Sequence, residues 1–267
     1  MSSMSHAPVL YRLVRSVFKP VLQRWVDLQV EGLDRVPRTR PAILASNHLS
    51  FMDSLVLPLS VPRPVYFLGK ADYWDSWRTR WFFQGVGVVP VRREGGAAGM
   101  ESLETGTEIL RSGDLVGVYP EGTRSPDGRL YRGKTGPVRM ALAAGVDIIP
   151  CGVIGSDLAQ PTGQKTISRE TVTVRYGRPV NLSRYADQVD DPFALRAATD
   201  EVMYEIMTLS GQEYVDIYAG QVKSADKAVA DVASTAAPGT TDLGRPRDHL
   251  VGQATAGEGS AADRDAS

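Results

Sequence analysis

The sequence predicts an α/β fold: a single domain with a central, mostly parallel sheet flanked by helices, preceded by an N-terminal amphipathic helical segment. Three observations carry this. Short runs rich in Val, Ile and Leu alternate with longer helical patterns through most of the 267 residues. Several strand-like runs, such as Ala42-Ile43-Leu44-Ala45, are apolar at every position, as strands buried on both faces are. Gly or Pro stands at most of the boundaries between runs.

Composition narrows the function. The apolar fraction of 42% is that of a globular protein, and a net charge of −1 argues against a whole-molecule nucleic-acid binder. The one cysteine, Cys151, lies in an apolar run and reads as a buried small hydrophobe, so no intrachain disulfide forms. No unbroken apolar run reaches the roughly 18 residues of a transmembrane helix. The N-terminus is no secretory signal, because Arg12, Arg15, Lys19 and Arg24 interrupt its apolar residues.

In chain order, residues 8–26 carry a helical apolar stripe with four basic residues and no acidic one, and Pro20 kinks or splits it. A basic helix with Phe18 and Trp25 on its apolar side fits a membrane surface, and packing against its own domain is the open alternative. Strands are expected near residues 25–31, 42–46, 65–69, 87–93, 114–119, 147–154 and 171–176, the last at an edge. Helices are expected over 52–61, 72–83, 100–111, 137–144 and 192–209, with a flexible linker at 95–99 and a polar loop at 156–169. Trp74, Trp77 and Trp81 share one helix face, whose destination is either the core or a membrane interface. The domain boundaries expected are a helical segment at 1–24, the catalytic domain at 25–221 and a disordered tail at 222–267, which has almost no aromatic or branched apolar content.

The chemistry centres on Ser46-Asn47-His48-Leu49-Ser50-Phe51-Met52-Asp53, between a buried strand and a helix start. That is the C-terminal edge of the sheet, where open α/β sheets place ligands. With Ser50 as N-cap, the first helical turn brings the Asp53 carboxylate back toward His48. A carboxylate on one ring nitrogen fixes the tautomer and leaves the other nitrogen as a base. Ser50-x-x-Asp53 is equally a capping box, which needs no catalysis to explain it. In the second block, Tyr119-Pro120-Glu121-Gly122-Thr123-Arg124-Ser125, Gly122 permits a tight turn, Thr123 offers a hydroxyl and Arg124 a planar fork suited to phosphate. Glu121, an acceptor only, is expected to orient Arg124 or a substrate hydroxyl; a surface turn with an internal Glu–Arg pair is the alternative.

Asn47-His48-x-Ser50-x-x-Asp53 and Glu121-Gly122-Thr123-Arg124-Ser125, in this order, resemble the two signature blocks of the PlsC-type glycerolipid acyltransferases. The similarity covers roughly residues 25–210. It implies acyl transfer from acyl-CoA or acyl carrier protein to the sn-2 hydroxyl of 1-acylglycerol 3-phosphate, making phosphatidic acid. His48 would be the general base, oriented by Asp53. Arg92, at the end of the strand near residues 87–93, resembles an arginine associated with the acceptor phosphate in this family. Arg92, Arg124 and the Glu121-Gly122-Thr123 turn would hold that phosphate, and Lys134 would meet an anionic donor or the phosphate. The resemblance implies no metal or cofactor, no nucleic-acid partner, and a peripheral or monotopic place on the cytoplasmic face of the cell membrane.

Three rivals stand beside it. One is the same chemistry on another lysophospholipid or a glycolipid. A second is a nucleotide hydrolase, because residues 128–135 match the P-loop pattern Gly-x4-Gly-Lys-Thr. A P-loop needs a strand running into the loop and a helix starting at the Lys-Thr; here Leu130 and Tyr131 are instead expected to close over the site. The third is a non-catalytic membrane binder.

Overall fold

The computed structural model describes residues 16, 17, 20, 22, 24–70, 88–91, 96–162, 164, 166–225 and 228. The chain divides into two units, Met1–Lys227 and Ala228–Ser267, and the first holds all the strands of the described residues. Most of the N-terminal stripe, the tryptophan cluster and Arg92 lie outside the described residues.

The sheet contains β1 (Asp27–Glu31), β2 (Ala42–Ser46), β3 (Val65–Lys70), β4 (Val88–Val91), β5 (Leu115–Val118), β7 (Ile148–Ile154) and β8 (Thr171–Tyr176), in the order β1-β8-β7-β2-β5-β3-β4. All neighbours are parallel except β7 and β8. The expected mostly parallel sheet is present. β8 is not the edge it was expected to be. Its alternation comes from Val172, Val174 and Tyr176 facing the core, while β1 covers its outer side as the edge strand.

β2 lies at the centre and is buried at every position. Successive side chains point to opposite faces. Ala42 and Leu44 therefore enter one core with Met52, Val56, Leu57 and Leu59 of the segment around α1 (Asp53–Ser60). Ile43 and Ala45 enter the other core, beneath α2 (Gly96–Arg111), α3 (Gly136–Ala144) and α5 (Pro192–Ser210). Cys151 is fully buried in the first core, as its apolar run implied, and burial pushes its thiol up.

Several boundaries differ from the expectation. α2 begins at Gly96, so most of the expected linker is its first turn. α4 (Ser156–Ala159) is one turn inside the expected polar loop. α5 starts and stops by the usual signals: the Asp191 side chain accepts from Phe193 N at 2.8 Å, and left-handed Gly211 ends it. β6 (Leu130–Tyr131) pairs in parallel with β9 (Tyr214–Val215) as a separate two-stranded ribbon. Residues 219–225 are helical.

Candidate active site

β2 and β5 are parallel neighbours, with Ala45 opposite Val118. Their C-terminal ends therefore release the two sequence blocks side by side. Backbone bonds stitch them together. Ser125 N–H donates to the His48 carbonyl at 2.7 Å, and His48 N–H donates to Glu121 Oε1 at 3.1 Å. The peptide groups around His48 are thus held on both sides by the second block.

Asp53 is fully buried at the start of α1. Its Oδ2 takes three contacts: His48 Nδ1 at 2.8 Å, Leu49 N at 2.7 Å and Ser50 N at 2.8 Å. The two backbone N–H groups can only donate, so Oδ2 is an acceptor and an ionised Asp53 places the imidazole proton on Nδ1. Nε2 then keeps its lone pair on the edge of a ring whose side chain is 16% exposed. The same oxygen thus closes the turn and holds the ring. The helix itself has Met52 rather than Ser50 at its N-cap, and the Ser50 hydroxyl donates to the Gln160 carbonyl at 2.7 Å.

Tyr119 is a feature that sequence reasoning missed. Its ring lies flat on His48, with centroids 3.9 Å apart and planes within 10°. Phe67 backs it at 5.5 Å. A π-face against the imidazole would favour a cationic ring over a neutral one. Burial raises the Tyr119 hydroxyl well above its usual range, and the Asp53 charge adds to that, so the phenol stays neutral.

Asn47, also without an assigned role from sequence, is fully buried. Its Oδ1 accepts from Val153 N at 2.7 Å, and its Nδ2 donates to Val153 O at 2.8 Å and to Gln212 Oε1 at 2.7 Å. It extends the β2–β7 pairing by one side chain and fixes the direction in which His48 leaves the sheet. Gln212 passes the brace on to the Gly128 carbonyl at 2.7 Å. The residue types alone carried no signal for this, since the partners are remote in sequence.

Glu121 departs from its expected part. It is 2% exposed, and its oxygens go to backbone N–H groups of His48 and, at 3.0 Å, Tyr131 rather than to Arg124. Burial lifts its carboxyl to about 7, against the pull of the same two N–H groups. Glu121 is a buried tie between loops. Gly122 has φ +73°, and a Cβ there would meet Lys134 Nζ at 3.0 Å. Thr123 and Arg124 are half-buried beside it, and Lys134 is exposed. A cavity of about 570 Å³ opens here, lined by Glu121, Gly122, Thr123 and Lys134 and, from later in the chain, Tyr218, Gly220, Gln221 and Ser224. The structure thus brings His48, Asp53, Glu121, Gly122, Thr123, Arg124 and Lys134 to one edge of the sheet.

One other expectation changes, and the P-loop rival finds no support. Leu130 and Tyr131 do not close over the site, because both are fully buried and form β6. That strand sits inside residues 128–135 and α3 starts only at Gly136, so the context of a P-loop is absent. The backbone N–H groups of His48, Leu49 and Ser50 are all engaged by carboxylates, so the turn itself leaves none of these three for an oxyanion. Among the described residues, no cluster of three or more His, Cys, Asp or Glu could hold a metal ion, and no helix is long and apolar enough to cross a membrane.

Residues 27–154 match the family model described as Acyltransferase. A chloroplastic 1-acyl-sn-glycerol-3-phosphate acyltransferase of Arabidopsis thaliana is 33% identical over 59% of this chain and 44% of its own length. The 1-acyl-sn-glycerol-3-phosphate acyltransferase of Bacillus subtilis is 22% identical over 66% of this chain and 85% of its own. The chain spans about half the length of the plant and algal relatives it matches, 40–59%. Among solved structures, the 1-acyl-sn-glycerophosphate acyltransferase PlsC of Thermotoga maritima superposes with a TM-score of 0.60 at 25% identity, over 74% of this chain and 78% of that one. With the His48–Asp53 pair and the Glu121–Ser125 loop placed side by side at the ends of β2 and β5, the chain is similar in sequence and fold to the PlsC-type glycerolipid acyltransferases.

Proposed function

We propose that the protein transfers an acyl group from a thioester to the sn-2 hydroxyl of 1-acylglycerol 3-phosphate, giving phosphatidic acid. The observation that carries this is the His48 ring, held on Nδ1 by Asp53 with its Nε2 edge free, beside the Glu121–Arg124 loop. His48 Nε2 takes the proton of the acceptor hydroxyl as its oxygen attacks the thioester carbonyl. The tetrahedral intermediate expels the thiolate, and the proton on His48 goes to that sulfur. The thioester is already activated, so no acyl-enzyme is required. General-base help of this kind is worth roughly 10²–10⁴-fold.

Arg124, Thr123 and Lys134 bind the acceptor phosphate in this reading, with Arg92 as a fourth group from the strand end outside the described residues. Glu121 and Gly122 shape the loop that presents them. The donor is acyl-CoA or acyl carrier protein. The protein works as a peripheral or monotopic enzyme on the cytoplasmic face of the membrane, to which its basic N-terminal stripe is drawn. No nucleic-acid partner is involved.

The test is release of free thiol from palmitoyl-CoA, with and without 1-acylglycerol 3-phosphate, for the wild type and His48→Ala. Acceptor-dependent release that disappears in the variant is the expected outcome. A variant with near wild-type transfer sinks the mechanism. Transfer to a different lysophospholipid or a glycolipid instead would move the substrate and leave the chemistry standing.

A further inference from the structure

The family match ends at Ile154, yet a later part of the chain reaches the site. Residues 219–225 are helical, and their Lys223 extends Nζ to within 2.9 Å of Thr123 Oγ1. The same ammonium donates to the Arg124 carbonyl. Both acceptors are neutral. Glu121, the acid whose charge it feels, already gives both oxygens to backbone N–H groups.

This is an uncomfortable place for a cation. Lys223 is half-buried beside the Arg124 guanidinium, and burial, then that neighbouring charge, pull its pKa down. Lys134 approaches the same loop at Gly122, as the 3.0 Å contact of its Nζ with a Cβ built there shows. Positive groups so converge on the Gly122–Arg124 loop at a cavity lined in part by Thr123, Lys134, Gln221 and Ser224. Like charges held together without an anion cost stability, and an arriving anion recovers it.

We propose that Lys223 is a further acceptor-binding residue: its ammonium, with the Thr123 hydroxyl and Lys134, receives the phosphomonoester of the acceptor. The inference rests on the proposed acyl transfer to 1-acylglycerol 3-phosphate and adds a residue from beyond the family's matched region. Lys223 exchanges its bond to the Arg124 carbonyl for the phosphate oxygen and keeps Thr123 as a neighbour. An acceptor without phosphate gains nothing from it.

The experiment compares wild type, Lys223→Gln and Lys223→Arg. The Gln amide removes the charge and keeps an N–H donor on a stem one bond shorter, and Lys223→Arg restores the charge at full reach. Glycerol 3-phosphate binding by titration calorimetry is measured beside acceptor and donor KM with 1-oleoylglycerol 3-phosphate and palmitoyl-CoA. Loss of a charge-assisted bond predicts about a ten- to hundredfold weaker Kd and a comparable rise in acceptor KM for Lys223→Gln. Donor KM stays unchanged, and Lys223→Arg recovers most of the loss. Unchanged Kd and acceptor KM in Lys223→Gln overturn the role of Lys223 while acyl transfer by the wild type stands. Lysine-dependent glycerol 3-phosphate binding without acyl transfer supports the phosphate site and removes the proposed reaction. A wild type that neither binds the probe nor transfers acyl groups removes both.

Discussion

Asp53→Asn separates folding from catalysis. Leu49 and Ser50 N–H both donate to Oδ2, so the Asn amide must turn its oxygen to that position. Its NH2 takes the place of Oδ1, which is buried without a hydrogen-bond partner. The three contacts and the His48 tautomer survive, and only the charge is lost. Stability then changes little: each of three charge-assisted bonds weakens by about 1 kcal/mol, while the several kcal/mol needed to bury a carboxylate are no longer spent. Catalysis changes much more. When His48 takes the acceptor proton it becomes a cation about 4 Å, centre to centre, from where the carboxylate stood. At an effective dielectric of about 20 that pairing is worth about 4 kcal/mol, or about 10³ in kcat. Single-turnover thiol release would measure the rate, and urea unfolding the stability. A variant within tenfold of wild-type kcat would refute the electrostatic role of Asp53. A variant that loses activity only by unfolding would refute the assignment of the amide.

The remaining predictions concern the supports. Glu121 has a folded pKa of about 7 against 4.5 for the free group, so the fold binds the extra proton between those values. Stability therefore falls as pH rises from about 4.5 to about 7, by about 3 kcal/mol, and is flat above. Glu121→Gln removes that slope; parallel urea-midpoint profiles of variant and wild type between pH 5 and 8 would contradict it. Tyr119→Phe keeps the stacked ring and retains most activity. Tyr119→Ala loses it, and kcat should drop about tenfold, the scale of a cation–π contact; equal rates for the two variants would remove the stack from the mechanism. Asn47→Ala strands Val153 N and Gln212 Oε1, so denaturation should show a loss of about 2–5 kcal/mol. A loss under 1 kcal/mol would mean that water or a rotated Gln212 replaces the amide.

Much of the fold was legible because its signals are local. The all-apolar run of β2, the Gly145 stop of α3 and the Asp191–Pro192 start of α5 each depend on a few adjacent residues. The His48–Asp53 pair was legible for the same reason, since one helical turn closes it. What stayed hidden depends on which strands become neighbours. Tyr119 reaches His48 only because β5 lies beside β2, and β8 looked like an edge because alternation reports which faces are buried, not which strand stands outside. The linker reading at Gly96 failed because helix propensity is a weak prior that tertiary packing overrides. Glu121 was read as an acceptor for Arg124 or a substrate hydroxyl, whereas the fold gives its two oxygens to the backbone N–H groups of His48 and Tyr131, partners that the local sequence does not reveal.

The Asn47–Gln212 bond joins residues 165 positions apart, and the Lys223–Thr123 bond joins residues 100 apart. A chain emerging from the ribosome exposes both signature blocks well before it exposes these braces. Contacts of such long sequence separation form late, because loop closure must precede them. His48 is therefore synthesised early but finally aligned only when the last segment docks. A nascent chain stalled before Gln212 should accordingly leave palmitoyl-CoA intact, and fast thioester cleavage by such a chain would show that the catalytic edge matures without its distant half.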